Sequence, residues 1–91
     1  MTIPEGYEPY RRTPEFTHET VPPGLLKAHR TKPGVWGIIH VLEGNLIYRI
    51  AETSSESVLT PGSPGVIAPE QQHEVAPLGP VRFYVEFHRA S

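Results

Sequence analysis

The stretch Gly34-Val-Trp-Gly-Ile-Ile-His-Val-Leu-Glu-Gly-Asn-Leu-Ile-Tyr-Arg-Ile50 leaves little choice of local structure. Its residues are mostly β-branched, aliphatic or aromatic, no helical period runs through them, and the apolar run is too short for a buried helix. It predicts two strands, Val35 to Leu42 and Leu46 to Ile50, separated by Glu43-Gly44-Asn45. A Gly-Asn pair supplies the positive φ that a tight hairpin turn needs.

The rest of the chain speaks the same language. Prolines at 4, 9, 14, 22 and 23 exclude a helix longer than about two turns from residues 1–24. Ile3, Tyr7, Tyr10 and Phe16 give that segment apolar anchors, so it reads as an extended Pro-rich arm laid across the domain or across a partner. Leu25 to Arg30 is expected to be a short strand, and Thr31-Lys-Pro-Gly34 a turn. Residues 51–57 read as an exposed polar loop, Val58-Leu-Thr60 as a brief strand, and Pro61-Gly-Ser-Pro-Gly65 as a turn set by its breakers. Val66-Ile-Ala68 and His73 to Ala76 follow as strands, then the turn Pro77-Leu-Gly-Pro80. The last strand, Val81 to His88, alternates cleanly, with Phe83, Val85 and Phe87 on one side and Arg82, Tyr84, Glu86 and His88 on the other. Frequent turns between short strands give an all-β fold, a sandwich or barrel in a single domain, residues 1–91.

Charge and cysteine content narrow the function classes. The net charge is −2 with both signs interspersed, so no basic stripe offers itself to phosphate backbones or an anionic bilayer, and neither nucleic acid nor membrane is expected as a partner. No apolar run has the length of a membrane span, the N-terminus lacks the basic-then-apolar order of a secretory signal, and a cytoplasmic location is expected. With no cysteine, disulfide frameworks and thiolate metal sites are excluded. No phosphate-binding glycine loop is present, and Ser54, Ser55 and Ser57 lack the strand-turn-helix setting of a serine nucleophile. A domain of this size buries only about 60 to 65% of the surface its unfolded chain exposes. That, the aromatic arm and the apolar face of the last strand predict a homodimer.

Val41-Leu-Glu-Gly44, followed about twenty residues later by Pro-Gly-Ser-Pro-Gly, a strand, Pro69 and His73, resembles the two sequence motifs of cupins. Gly65, Pro69 and His73 fit the second motif with proline and histidine one residue closer than usual, and the first motif is only partly present. More narrowly, Ala28-His-Arg-Thr-Lys32, Trp36-Gly37, Val41-Leu-Glu-Gly44, Gly65-Val-Ile-Ala-Pro69, His73 and Phe83-Tyr-Val-Glu-Phe87 resemble the small YeaR-like cupins, which also occur as the N-terminal domain of tellurite-resistance proteins of the TehB type. The resemblance runs from about residue 7 to Arg89. It implies a small double-stranded β-helix, or jelly-roll, barrel with a metal at its mouth.

Where the first cupin motif has two histidines and a glutamate, this chain offers His29 and places Trp36-Gly37 near the position of the glutamate. Glu86, on the polar side of the last strand, can complete the set with His29 and His73. Two imidazoles and a carboxylate suit one divalent transition metal, iron or zinc first, with manganese, nickel and copper also able to accept them. His40 or His88 could replace Glu86 as third ligand, although His40 in an apolar strand reads more readily as a packed histidine. Glu86 could also be solvated or paired with Arg82 or Arg49, and His18 reads as a surface or packing residue. Tyr48 and Tyr84 are expected to line the substrate pocket if the polar face of the last strand points inward, and Trp36, at the barrel mouth, is expected to border it, although it reads more readily as a packing residue than as one that stacks on substrate. In the opposite orientation Phe83, Val85 and Phe87 fill the interior and Glu86 is lost to the site. Two functions follow: a metal-dependent enzyme acting on a small molecule, or a non-catalytic small-ligand or metal-binding stress-response module.

Overall fold

The computed structural model describes residues 2–27 and 29–90. Its strands are β1 (Tyr7–Arg12), β2 (Phe16–Thr17), β3 (Trp36–Ile50), β4 (Ser55–Leu59), β5 (Gly65–Ile67) and β6 (His73–Ala90), with one short 3-10 turn at Pro23–Leu25. All pair antiparallel in one six-stranded sheet of order β1-β6-β3-β4, in which β2 also pairs with β6 and β5 with β3. The fold is all-β, as expected. The sheet does not close into a barrel, because β1 and β4 stand at opposite ends of the strand order and do not pair. Among the described residues no helix is long and apolar enough to cross a membrane.

The expected hairpin at Glu43-Gly44-Asn45 does not form. Instead β3 continues without a turn for 15 residues and pairs along nearly its whole length with the 18-residue β6, from Trp36 opposite His88 to Ile50 opposite His73. Gly44 does have the positive φ that motivated the turn, +80°, but uses it in a bulge. A side chain there would run into the Pro80 carbonyl, so the glycine lets the two long strands cross at close range. The expected turn Pro77–Pro80 is absorbed into β6 in the same way, with Gly79 at φ +78°. Chain reversals fall instead between β3 and β4, where Ser54 has φ 51°, and between β4 and β5. The polar stretch expected to be a loop through residue 57 is already strand β4 from Ser55.

The bulges change which residues face the core. Before them the odd positions Gly37, Ile39 and Val41 are buried; after them the even positions Leu46 and Tyr48 are. On β6 the buried residues are His73, Val75, Val81, Phe83 and Val85. The core joins these to Leu59 and Ile67, with Phe16, Val21, Leu25, Ile50 and Phe87 packed against it. The two halves of the β3/β6 ribbon meet where Gly65 sits under Leu59 and Tyr48, and the Tyr48 hydroxyl donates to the Val66 carbonyl at 2.9 Å. A side chain at Gly65 would meet Leu59 Cδ1 at 2.8 Å, so this position closes the core only as glycine. The Pro-rich arm lies across β6 through β1 and β2, with Phe16 edge-on to Phe83 at 5.7 Å.

Candidate functional site

His29 and His73 come together although 43 residues and several strands separate them in the chain's order. The expected strand Leu25–Arg30 is replaced by the 3-10 turn and bends, with Ala28 outside the described residues, and His29 forms an isolated antiparallel bridge with His73. Each backbone amide donates to the other's carbonyl at 2.8 Å, and the two rings meet edge to face with centroids 5.4 Å apart. The segment after His29 is anchored by the buried Thr31, whose hydroxyl donates to the Ala68 carbonyl at 3.0 Å and accepts from the Glu70 amide at 3.1 Å. The turn it grips is tight: Glu70 has φ 59°, and Gln71 folds its side-chain oxygen back to the Ala68 amide.

His73 is buried and His29 exposed, so the pair spans the boundary between core and solvent. Nδ1 of His73 lies 2.9 Å from the Gln71 carbonyl. A carbonyl can only accept, so Nδ1 carries the proton and Nε2 presents a lone pair. Burial pushes the His73 imidazole below its ordinary pKa; the Gln71 hydrogen bond pulls against this and the nearby His29 adds to it. The ring is therefore biased towards its neutral form, in the tautomer that leaves Nε2 as an acceptor.

Both histidines edge a cavity of about 270 Å3. Its walls are otherwise mostly apolar, with Phe16, Leu25, Ile39, Ile67, Phe83 and Phe87 among them. The face of β6 carrying Phe83, Val85 and Phe87 thus looks into the cavity.

Residues 11–85 match the model of the TehB-like domain. The chain belongs to the TehB-like family. Proteins named YeaR from Escherichia coli strains K12 and O157:H7 are each 29% identical to it over 84 residues, covering 82% of this chain and 71% of theirs. A crystal structure of a protein from E. coli K12 superposes with a TM-score of 0.90 at 27% identity, over all of this chain and 98% of the other. TehB from Haemophilus influenzae superposes with a TM-score of 0.85 at 26% identity, over 94% of this chain and 32% of TehB.

In this TehB-like chain Glu86 stands on the other face of the sheet, which corrects the expectation that it joins His29 and His73. Strand alternation is the cause: with Val85 and Phe87 lining the cavity, Glu86 must point away. There it accepts from His88 Nε2 at 2.8 Å and lies 3.5 Å from His40 Nε2, a buried nitrogen with no hydrogen bond. Burial raises the Glu86 carboxyl, but the His88 hydrogen bond together with His40 outweighs it and holds the group below the usual carboxylate range.

The three aromatic residues expected in the pocket are placed elsewhere. Tyr84 stacks on His40 with centroids 4.9 Å apart, under the Arg12 guanidinium. Trp36 contacts Tyr7 edge-on at 6.4 Å, opposite His88 in the strand register. Tyr48 is a core residue: burial pushes its hydroxyl up to about 12, and its ring lies 6.0 Å from that of His73. Among the described residues no group of three or more His, Cys, Asp or Glu side chains is placed to hold a metal ion. Thr31 and Gln71, which hold the histidine pair in place, were not among the expected site residues. Neither carries a pattern that separates it from an ordinary loop residue.

Proposed function

We propose that this TehB-like chain is a non-catalytic small-ligand or metal-binding module of the kind associated with tellurite-resistance proteins, with His29 and His73 as its recognition pair. The observation that carries the reading is the Gln71 carbonyl against Nδ1 of His73. Histidines that bind metals characteristically donate their second ring nitrogen to a carbonyl or carboxylate, which fixes the tautomer and sharpens the free lone pair. A divalent transition metal, iron or zinc first and manganese, nickel or copper next, would take two imidazoles from this chain. Its remaining positions would go to water, a small ligand or groups from a second copy in a homodimer. The enzyme reading needs a carboxylate beside the pair, and Glu86 is engaged with His40 and His88 on the far face.

Calorimetric titration of tag-free, metal-stripped protein with Zn2+ and Fe2+ tests the proposal. One ion per chain or per pair of chains is expected, lost in His29→Ala and His73→Ala and kept in Glu86→Gln. His29 is exposed, so its replacement leaves the fold standing and the readout clean. Equal uptake by the wild type and His29→Ala would overturn the assignment. Light scattering at micromolar concentration tests the homodimer.

A further inference from the structure

A second cavity, also about 270 Å3, lies beside the apolar one and shares His29, Thr31 and Phe87 with it as wall residues. Its lining is more polar and carries charge. Arg11, Arg30 and Lys32 line it, and no Asp or Glu does. In a chain whose net charge is −2, three cations without a carboxylate between them are a local concentration of positive potential. Arg30 spends one nitrogen on Gln72 at 3.3 Å, while the Arg11 and Lys32 side chains form no ion pair or hydrogen bond among the described residues.

The backbone beneath each cation is fixed by the fold. Arg11 pairs opposite Phe87 in the β1/β6 register, and directly paired residues project to the same face of a sheet. Phe87 lines both cavities, while Arg11 lines the second. Arg30 and Lys32 flank Thr31, whose two hydrogen bonds to the 68–70 turn fix the segment, and the Lys32 carbonyl accepts from the Val35 amide at 3.1 Å.

We infer that the two cavities together form the site of a small amphipathic anion, its apolar tail in the space walled by Phe16, Phe83 and Phe87 and its oxyanion head between Arg11, Arg30 and Lys32. A carboxylate and a phosphate monoester share the chemistry that this head group needs, two or more oxygens accepting from guanidinium and ammonium donors. Apolar walls supply affinity for the tail without selectivity, and the cations select the charged end. His29 stands at the junction, where it can donate to or accept from the head. This deepens the ligand-binding reading above and rests on the same cavity.

The test is titration of the intact chain, followed by NMR, with hexanoate, hexyl phosphate, hexanol and inorganic phosphate. At least one of the two amphipathic anions is expected to bind about tenfold or more tightly than hexanol and than inorganic phosphate, and the tighter of the two identifies the head group. The double variant Arg11→Gln/Lys32→Gln, both sites exposed, is expected to erase that preference while leaving hexanol binding unchanged. Equal affinity for hexanol and both anions, no binding of either anion, or an unaltered preference in the double variant would each overturn the inference. Zinc titration of the same samples separates the two proposals: metal uptake dependent on His29 without anion preference removes this inference alone.

Discussion

His29 and His73 exchange both of their backbone hydrogen bonds, amide to carbonyl at 2.8 Å in each direction. A reciprocal pair of this kind ties the segment after the Pro-rich arm to the start of β6, so the two imidazoles are held by main chain as well as by packing. The spacing of the two backbones therefore does not depend on either ring.

Stability should depend on pH through His73. Its folded pKa lies below the ordinary value of about 6.5, so its contribution is fully present above that pH and is lost as pH falls through the folded pKa. Denaturant unfolding at a series of pH values from 8 down to 5 checks this, with His73→Gln expected to flatten the slope in that window.

Glu86 acts in a lower window. Its carboxyl is held below the usual range, so its contribution is complete above about pH 4.3 and disappears as pH drops through the folded value. Glu86→Gln should shift acid unfolding to higher pH while leaving zinc binding at neutral pH as it was. Acid titration followed by circular dichroism reads the first and calorimetry the second.

Gly44→Ala should destabilise by at least about 2 kcal/mol. Positive φ in a residue with a side chain costs on the order of 1 to 3 kcal/mol, and the added carbon would also press on the Pro80 carbonyl. Gly62→Ala is the control, since nothing lies within 4 Å of a side chain there and its φ is ordinary. Thermal unfolding of the two variants separates backbone strain from a generic effect of losing glycine.

Tyr48→Phe removes the hydroxyl that donates to the Val66 carbonyl and keeps the buried ring. The expected cost is about 1 to 2 kcal/mol, the range for stranding one partner of a partly buried hydrogen bond. Chemical denaturation gives the number, and an unchanged midpoint would show that water reaches the freed carbonyl.

The alternation of the last strand was legible in the sequence, and so was the all-β class: Phe83 and Val85 do fill the core and Phe87 does pack against it. The direction of that face was not, since alternation says which residues share a side and nothing of which side looks inward. That ambiguity misplaced Glu86 and Tyr84. Gly44 misled for a different reason. Positive φ serves a bulge as readily as a turn, and only the presence of β6 across the whole of β3 decides between them. The meeting of His29 with His73 could be anticipated only through the family resemblance, because no local pattern links a residue after a 3-10 turn to one at the head of a distant strand. Arg30 and Lys32 flank Thr31 in the sequence, but Arg11 lies too far back along the chain for any scan of neighbouring charges to group it with them.

Strand β1 has its partner at Glu86 to Ala90, and β2 at Arg82 and Phe83. During synthesis β1 and β2 emerge before the β6 residues they pair with and must wait for them. Such long-range closure favours slow, all-at-once assembly over piecewise folding. It also gives a reason for five prolines among the first 24 residues: a waiting segment that resists pairing with itself or with a neighbour's unfinished chain is less prone to the wrong sheet.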